Sequence, residues 1–228
     1  MRIARMLVLA LAALVPAGSQ AAAPARTRLA MVARKALSGL KVKVPATANP
    51  YLAGMPAGTD TSDGDKAPQE SPVLVEISLA DAVAVSFSAS GGVENHPYDP
   101  PVYDPPDGSL GISHRAEHGI SAIAAPIDSL VGVFLDDGRP DGSPAPPPLD
   151  FRAIGWDFAS LSPQLKQIFF IGAGTTKVRV AGSGKKARVA RRYLVPKGAT
   201  RLFLGTLDEY EWNNNKGAFD VIVTPLAP

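Results

Sequence analysis

The stretch Val83-Ala84-Val85-Ser86-Phe87-Ser88 alternates large apolar residues with small or polar ones, a period of two that is typical of a half-buried β-strand. The chain holds 22 prolines and 21 glycines, which interrupt helical periodicity and supply turns. We therefore predict an all-β fold, an antiparallel two-sheet sandwich of the jelly-roll type. Further short apolar runs support it at residues 120–123, 130–135, 168–171, 201–207 and 218–223.

The first residues predict export. Arg2 and Arg5 precede an apolar run over residues 6–15, and Ser19-Gln20-Ala21 resembles a small-residue cleavage site. Ten apolar residues rise only about 15 Å as a helix, short of the roughly 30 Å of a bilayer core. We expect a signal peptide over residues 1–21, no transmembrane segment after its removal, and a secreted, periplasmic or cell-envelope protein.

Charge divides the rest of the chain. All 21 acidic residues follow Val44, whereas eight of the 23 basic residues precede it. We predict a flexible basic leader over residues 22–48 and the β-sandwich domain over residues 49–228. Residues 177–201 hold nine basic residues and no acidic one, which indicates a solvated hairpin or a contact with anionic polysaccharide or lipid headgroups. We expect no nucleic-acid partner, because the chain has no recognisable binding motif.

Cysteine is absent, so disulfides and thiolate metal sites are excluded. A metal could still bind through oxygen, and one segment offers such ligands. Asp208 ends an apolar run, and Asn214 and Asn215 follow in a polar loop. Hard cations such as calcium take six to eight oxygens from carboxylates, amides and backbone carbonyls. Tyr210 and Trp212 in the same loop suit a sugar ring, although an ordinary connecting loop with a core tryptophan is the alternative.

The same segment resembles the bacterial calcium-dependent galactose-binding lectins, in which a strand ends in Asp and a loop then supplies Asn-Asn-x-Gly-x-Phe. Asp208 matches that Asp, and Asn214-Asn215-Lys216-Gly217-Ala218-Phe219 matches the second part. The resemblance implies a galactose-binding-domain-like sandwich. It also implies calcium bound by Asp208 and both asparagines, with backbone carbonyls near Leu79 and Glu211 and with sugar hydroxyls completing the shell.

Those lectins contact galactose through a His-Pro-x-Gln segment, for which two stretches compete here. One is His96-Pro97-Tyr98-Asp99, and the other is Pro105-Pro106-Asp107-Gly108. Neither contains the glutamine, so galactose is not implied. We keep His96, Asp99 and Asp107, with Tyr210 and Trp212, as candidate ligand contacts.

Most of the chain from Asn49 also resembles a group of largely uncharacterised exported bacterial proteins that often carry a C-terminal sorting segment. The shared phrases include Ser71-Pro-Val-Leu-Val, Leu130-Val-Gly-Val-Phe-Leu and Val195-Pro-Lys-Gly-Ala-Thr-Arg-Leu-Phe-Leu-Gly-Thr. This chain ends at Pro228 without the sorting segment. The resemblance implies export and a β-sandwich.

Enzymatic motifs are few. His114-Arg115-Ala116-Glu117-His118 matches the H-x-x-E-H pattern of some metallopeptidases, which requires a helix. Gly111 and Gly119 leave room for only two turns, so we interpret the segment as an exposed polar loop. We predict a protein that is not an enzyme but a calcium-dependent carbohydrate-binding domain. The alternatives are a structural or adhesive envelope protein in which calcium is only a staple and, third, a secreted hydrolase.

Overall fold

The computed structural model of the chain describes residues 39–96, 98–179 and 186–228. Strands make up 41% of the described residues and helices 7%, which confirms the all-β prediction. One short helix, α1 (Phe151–Ile154), and three single 3-10 turns occur among the described residues. The strands are β1 (Leu40–Pro45), β2 (Val73–Leu74), β3 (Ala84–Glu94), β4 (Gly111–His114), β5 (Ile123–Pro126), β6 (Leu130–Leu135), β7 (Leu149–Asp150), β8 (Ser160–Leu161), β9 (Ile168–Phe170), β10 (Thr175–Arg179), β11 (Lys186–Ala190), β12 (Arg192–Leu194), β13 (Arg201–Thr206) and β14 (Lys216–Leu226).

The first sheet has the order β1-β14-β3-β12-β8. Its centre is the antiparallel pair of β3 and β14, eleven residues each, in register from Glu94 opposite Lys216 to Ala84 opposite Leu226. In β14 the apolar Phe219, Val221 and Val223 are buried and alternate with more exposed residues, as the period of two requires.

The second sheet has the order β2-β13-β6-β9, and every residue of β6 is buried. Gly132 in β6 allows a close approach, because a Cβ there would meet the Phe169 ring at 2.7 Å. A three-stranded sheet, β4-β5-β7, and the two-stranded β10-β11 complete the described strands.

The two larger sheets share one apolar core. Tyr193 of β12 packs against Phe87 of β3 and Phe169 of β9, each with ring centroids 5.2 Å apart. Phe169 stacks in turn on Phe134 of β6 at 5.2 Å. Aromatic rings from both sheets therefore interdigitate, which is how a sandwich fills its interior.

The structured domain starts earlier than residue 49, and this corrects the predicted boundary. Strand β1 pairs antiparallel with β14, from Leu40 opposite Val223 to Pro45 opposite Ala218. Val44 is fully buried, whereas Lys43 points outward and forms an ion pair with Asp220 at 3.4 Å. The predicted signal peptide and the leader up to residue 38 lie outside the described residues.

The predicted basic hairpin forms in part. Strands β10 and β11 pair antiparallel, with Thr175 opposite Ala190 and Arg179 opposite Lys186. Residues 180–185, which connect these two strands, lie outside the described residues. Within the described ranges, the structure contains no helix with the length and apolar character needed to cross a membrane.

Candidate functional site

The loop between β13 and β14, residues 207–215, holds three of the predicted metal ligands, Asp208, Asn214 and Asn215. The carboxylate of Asp208 is buried and accepts backbone N–H groups from Glu209 at 2.5 Å and Tyr210 at 3.4 Å on Oδ1. Its Oδ2 accepts the side-chain amide of Asn215 at 2.8 Å. The strand end therefore fixes Asp208 as an acceptor beside the second half of the loop.

The two asparagines present free oxygens. Asn214 ends a single 3-10 turn, and Asn215 follows it with a side chain only 7% exposed. Their Nδ2 atoms donate to Glu211 and Asp208, whereas both Oδ1 atoms are buried and accept no hydrogen bond from the described residues. Buried unpartnered oxygens cost about 1–3 kcal/mol each, so a water molecule or a cation is expected to contact them.

The backbone at position 217 explains why the Asn-Asn-x-Gly-x-Phe pattern has glycine two residues after Asn215. Its φ is +95°, and a Cβ there would lie 2.2 Å from the carbonyl oxygen of Gly92 in β3. The chain must make this close approach to start β14 directly after the loop. A side chain would push β14 from β3 and displace the asparagines.

Two further carboxylates lie near enough to interact electrostatically at this end of the fold, and the sequence did not identify them. The Asp128 backbone N–H donates to the Leu207 carbonyl at 2.7 Å, which places it beside Asp208. Asp104 forms a bridge with Val93 at the end of β3. Burial raises the pKa of Asp128 from 3.8 to about 8, with the charges of Asp208 and Asp104 adding to the shift. The site thus concentrates negative charge in a partly desolvated position.

Asp208 itself has a pKa above its ordinary value, mainly because of burial. Hydrogen bonds from the Asn215 amide and the Glu209 backbone oppose that rise, as does the side chain of Asn95. Asn95 follows β3 directly and also lowers the pKa of Asp128 through its backbone N–H. Residues from three separate connections therefore meet at the β13–β14 loop.

This charge distribution predicts a falling stability with pH when no cation is bound. The pKa of Asp128 is higher in the folded protein than in the unfolded chain. Its contribution to the stability of the folded form is therefore full below about pH 4 and is lost as pH rises through about 8. In chelator, the melting temperature should fall from pH 5 to pH 9. Asp128→Asn should reduce that slope, because asparagine cannot ionise and tolerates the residue's φ of +62°. Melting curves of both proteins across this range test it, and equal slopes would contradict it.

A cavity of about 210 Å³ opens at the β13–β14 loop. Tyr210 lines this cavity with 56% of its surface exposed, and His96 also lines it. The predicted residues His96, Tyr210, Glu211, Asp208 and Asn214 therefore share one opening. The lining consists of Asn95, His96, Ile127, Asp208, Glu209, Tyr210, Glu211 and Asn214.

Trp212 is not a sugar platform, because it is fully buried. Its indole N–H donates to the Thr206 carbonyl at 2.9 Å, and its ring packs edge-on against Tyr51 at 6.1 Å and His114 at 5.5 Å. The alternative interpretation, a core tryptophan, is the one the structure supports.

Leu79, Asp107 and Asp99 are not brought to the loop either. The Leu79 carbonyl accepts the N–H of Ala82 and precedes the start of β3, at the far end of that strand from Asn95. The Asp107 carboxylate accepts the N–H of Ala173 at 2.8 Å. Asp99 is exposed and does not line the cavity at the loop.

Asp107 lines a different cavity, of about 600 Å³, beside the β10–β11 hairpin. Its wall includes the partly exposed Trp156 and the buried Arg191, whose guanidinium donates to the Ile171 carbonyl at 2.7 Å. Lys177, Lys186 and Arg188 also line it. The predicted contact of this basic segment with anionic polysaccharide stays a prediction.

The H-x-x-E-H segment is not an exposed loop, which corrects its interpretation. His114 is the last residue of β4 and is 5% exposed. Its side chain lies with those of Glu117 and Asp63, one donor atom from each within 4.8 Å of the others, in a group able to hold a metal ion. The second histidine, His118, is not part of that group, so the motif does not form the two-histidine site of a metallopeptidase.

Comparisons with known proteins assign no family. No protein-family model matches the chain, and no curated protein matches it. The function must therefore be argued from the site.

Proposed function

We propose that this domain is an exported, calcium-dependent carbohydrate-binding module whose metal is held by the β13–β14 loop. The proposal rests on one observation. The buried carboxylate of Asp208, which interacts electrostatically with Asp128, lies in one loop with the buried, unpartnered amide oxygens of Asn214 and Asn215, and a cavity lined by Asp208 and Asn214 opens at that loop.

The donor set suits a hard cation. Calcium takes six to eight oxygens at about 2.3–2.6 Å and prefers carboxylates, amide oxygens and carbonyls. Asp208, Asn214 and Asn215 supply side-chain oxygens, and Asp128 supplies a further carboxylate. A half-turn of the Asn215 amide would place its Oδ1 where Nδ2 now donates to Asp208. A dication would also offset the repulsion between the carboxylates, which supports this assignment.

The rim of the cavity suits a sugar. Sugars present an apolar ring face and hydroxyls that need polar partners. Tyr210 offers an exposed aromatic face, and His96, Glu209 and Asn95 offer polar groups around the same opening. Hydroxyls would complete the calcium shell where the protein leaves positions open, so affinity for the sugar would depend on the metal.

Calcium should stabilise the domain, and Asp208→Asn should remove that effect. Saturation at a hundredfold excess over the dissociation constant adds about 2.7 kcal/mol. For a domain of this size that corresponds to a rise of about 5–10 °C in melting temperature. Asparagine keeps the shape of Asp208 but loses the charge of a proposed calcium ligand. Calorimetric melting in calcium and in chelator measures the difference.

Asp220→Asn is the matched control, because Asp220 is an exposed aspartate of β14 whose partner among the described residues is Lys43. It should keep the full calcium response. A glycan array with calcium and with chelator then tests the second half of the proposal. Calcium stabilisation without glycan binding would favour the structural or adhesive envelope protein. A wild-type melting temperature that ignores millimolar calcium would overturn the calcium assignment.

A further inference from the structure

We infer that Asp63, His114 and Glu117 form a second metal site, for a borderline dication such as Zn²⁺, distinct from the proposed calcium site. The group combines one imidazole with two carboxylates, the mixture that zinc accepts and calcium does not favour. It lies on the β4 side of Tyr51 and Trp212, whose rings pack against His114. The inference does not depend on the proposed function.

Three short-range structures hold the donors in place. Asp63 lies in a turn in which the Thr61 hydroxyl accepts the Asp65 N–H at 3.0 Å. His114 pairs with Ile123 at the end of β4. Glu117 begins a tight turn closed by two hydrogen bonds with Ile120. Because each donor sits on a fixed backbone, little conformational entropy would be lost on binding a metal.

The spacing fits a compact coordination shell. The Nε2 atom of His114 lies 3.7 Å from Oδ2 of Asp63, and one donor atom of each residue lies within 4.8 Å of the others. Tetrahedral zinc with bonds of about 2.0–2.1 Å separates its ligands by roughly 3.4 Å. Shifts of a few tenths of an ångström at the His114–Asp63 pair would therefore suffice.

The imidazole of His114 is oriented as a ligand. Its Nδ1 lies 2.8 Å from the backbone carbonyl oxygen of Arg115, and a carbonyl only accepts, so Nδ1 carries a proton. In the neutral ring this leaves the lone pair of Nε2 directed toward Asp63. Metal-binding histidines commonly donate their other ring N–H to a backbone carbonyl in this way. The ring is also clamped by stacking on Tyr51 at 4.1 Å.

The carboxylate of Asp63 likewise has one hydrogen-bonded oxygen and one free oxygen, and one oxygen of Glu117 is fixed by a backbone N–H. Oδ1 of Asp63 accepts Arg115 at 3.3 Å, whereas its Oδ2 is buried and accepts no hydrogen bond from the described residues. Oε1 of Glu117 accepts the backbone N–H of Ser62 at 2.6 Å. Asp65, two residues after Asp63, has both oxygens satisfied by neighbouring donors. The free oxygen of Asp63 is therefore a feature of this site and not of the turn.

The fourth position is left to water. Nε2 of His118 is buried without a partner among the described residues and lies 3.9 Å from Oε1 of Glu117, but this ring is not one of the three grouped donors. A water molecule would therefore complete four-coordination.

The test is metal binding by the untagged full chain after dialysis against chelator. Zn²⁺ should bind with a stoichiometry of one at this site and raise the melting temperature by about 5–10 °C at a hundredfold excess over its dissociation constant. Co²⁺ as a probe should give the visible absorption of a four-coordinate site. Asp63→Asn and Glu117→Gln, which keep side-chain shape, should each weaken Zn²⁺ binding at least tenfold. His114→Gln should abolish the Co²⁺ spectrum.

Two controls make the outcome decisive. Asp60→Asn changes an exposed carboxylate of the same loop, paired with Lys66, and should bind Zn²⁺ as wild type does. Asp208→Asn should lose the calcium response and keep the Zn²⁺ response, so the two sites can fail separately. The inference is overturned if wild type shows neither Zn²⁺ stabilisation nor a Co²⁺ spectrum, or if Asp63→Asn binds Zn²⁺ as tightly as Asp60→Asn.

Discussion

Asp65→Ala is expected to lower the free energy of unfolding by about 4 kcal/mol, which for a domain of this size is a drop of roughly 10 °C in melting temperature. Asp65 is fully buried. Its Oδ2 accepts the Asn49 amide at 3.0 Å and the Trp212 N–H at 3.1 Å, and its Oδ1 accepts the Asn213 N–H at 2.9 Å. Alanine would leave these buried donors without an acceptor, each at a cost of about 1–3 kcal/mol.

The matched control is Asp60→Ala in the same loop. Asp60 pairs with Lys66 at 3.0 Å, but both side chains are more than half exposed, so the loss should be about 0.5 kcal/mol or less. Urea or thermal unfolding of the two variants measures the difference. If Asp65→Ala unfolds within 2 °C of Asp60→Ala, this carboxylate does not organise the loop.

Asp65→Ala should also weaken calcium binding, because Asp65 fixes the backbone that leads to the proposed ligands. Trp212 and Asn213 directly precede Asn214 and Asn215, and Asp65 holds both of their N–H groups. Trp212 in turn packs against His114 of the proposed zinc site. The turn containing Asp63 and Asp65 thus contacts both proposed sites. Asp63 directs a free oxygen toward the proposed zinc site, and the hydrogen-bonded oxygens of Asp65 hold the loop of the proposed calcium site.

The sequence could locate only the local half of the candidate site. Asp208, Asn214 and Asn215 lie in one loop, so a short pattern identifies them and the structure brings them together. Asp104 and Asp128 reach the same place through long-range pairing, with Val93 and with Leu207. No local pattern distinguishes these two aspartates from the other acidic residues of the Pro- and Gly-rich loops.

Two errors arose because local composition outweighed tertiary context. Trp212 lies among polar residues and was predicted to face a ligand, yet Thr206 accepts its indole N–H and the ring joins the core. His114 belongs to a motif known on helices, and the flanking Gly111 and Gly119 leave room for only two helical turns there. A strand end holds it equally well, and its partner Asp63 comes from a loop 51 residues earlier in the chain.

Strand β1 shows the opposite case, because its local sequence pattern does indicate a strand. Leu40-Lys41-Val42-Lys43-Val44 alternates with the same period of two as β3, and its burial alternates accordingly. The lysines placed it in the basic leader on composition. Periodicity is the stronger guide here, because the outer face of an edge strand accepts lysine readily and lysine protects such an edge from further pairing.

Removing β1 should therefore destabilise the domain strongly. A chain that starts at Ala46 loses the ladder from Leu40 to Pro45 with β14 and the full burial of Val44. Burial of one such side chain contributes about 1.5–3 kcal/mol, and Leu40 and Val42 pack partly against the core as well. We expect a loss of about 5 kcal/mol, or roughly 10–20 °C in melting temperature.

The comparison is with a chain that starts at Gly39 and keeps β1 whole, so that the two proteins differ only by this strand and the residue before it. The shorter chain exposes the edge of β14, eleven residues long, which is a template for pairing with a second molecule. Thermal melting with size-exclusion chromatography should show a lower melting temperature and self-association for the chain from Ala46 alone. Equal melting temperatures would mean that β14 is stable as an edge strand and that the domain begins, energetically, after Pro45.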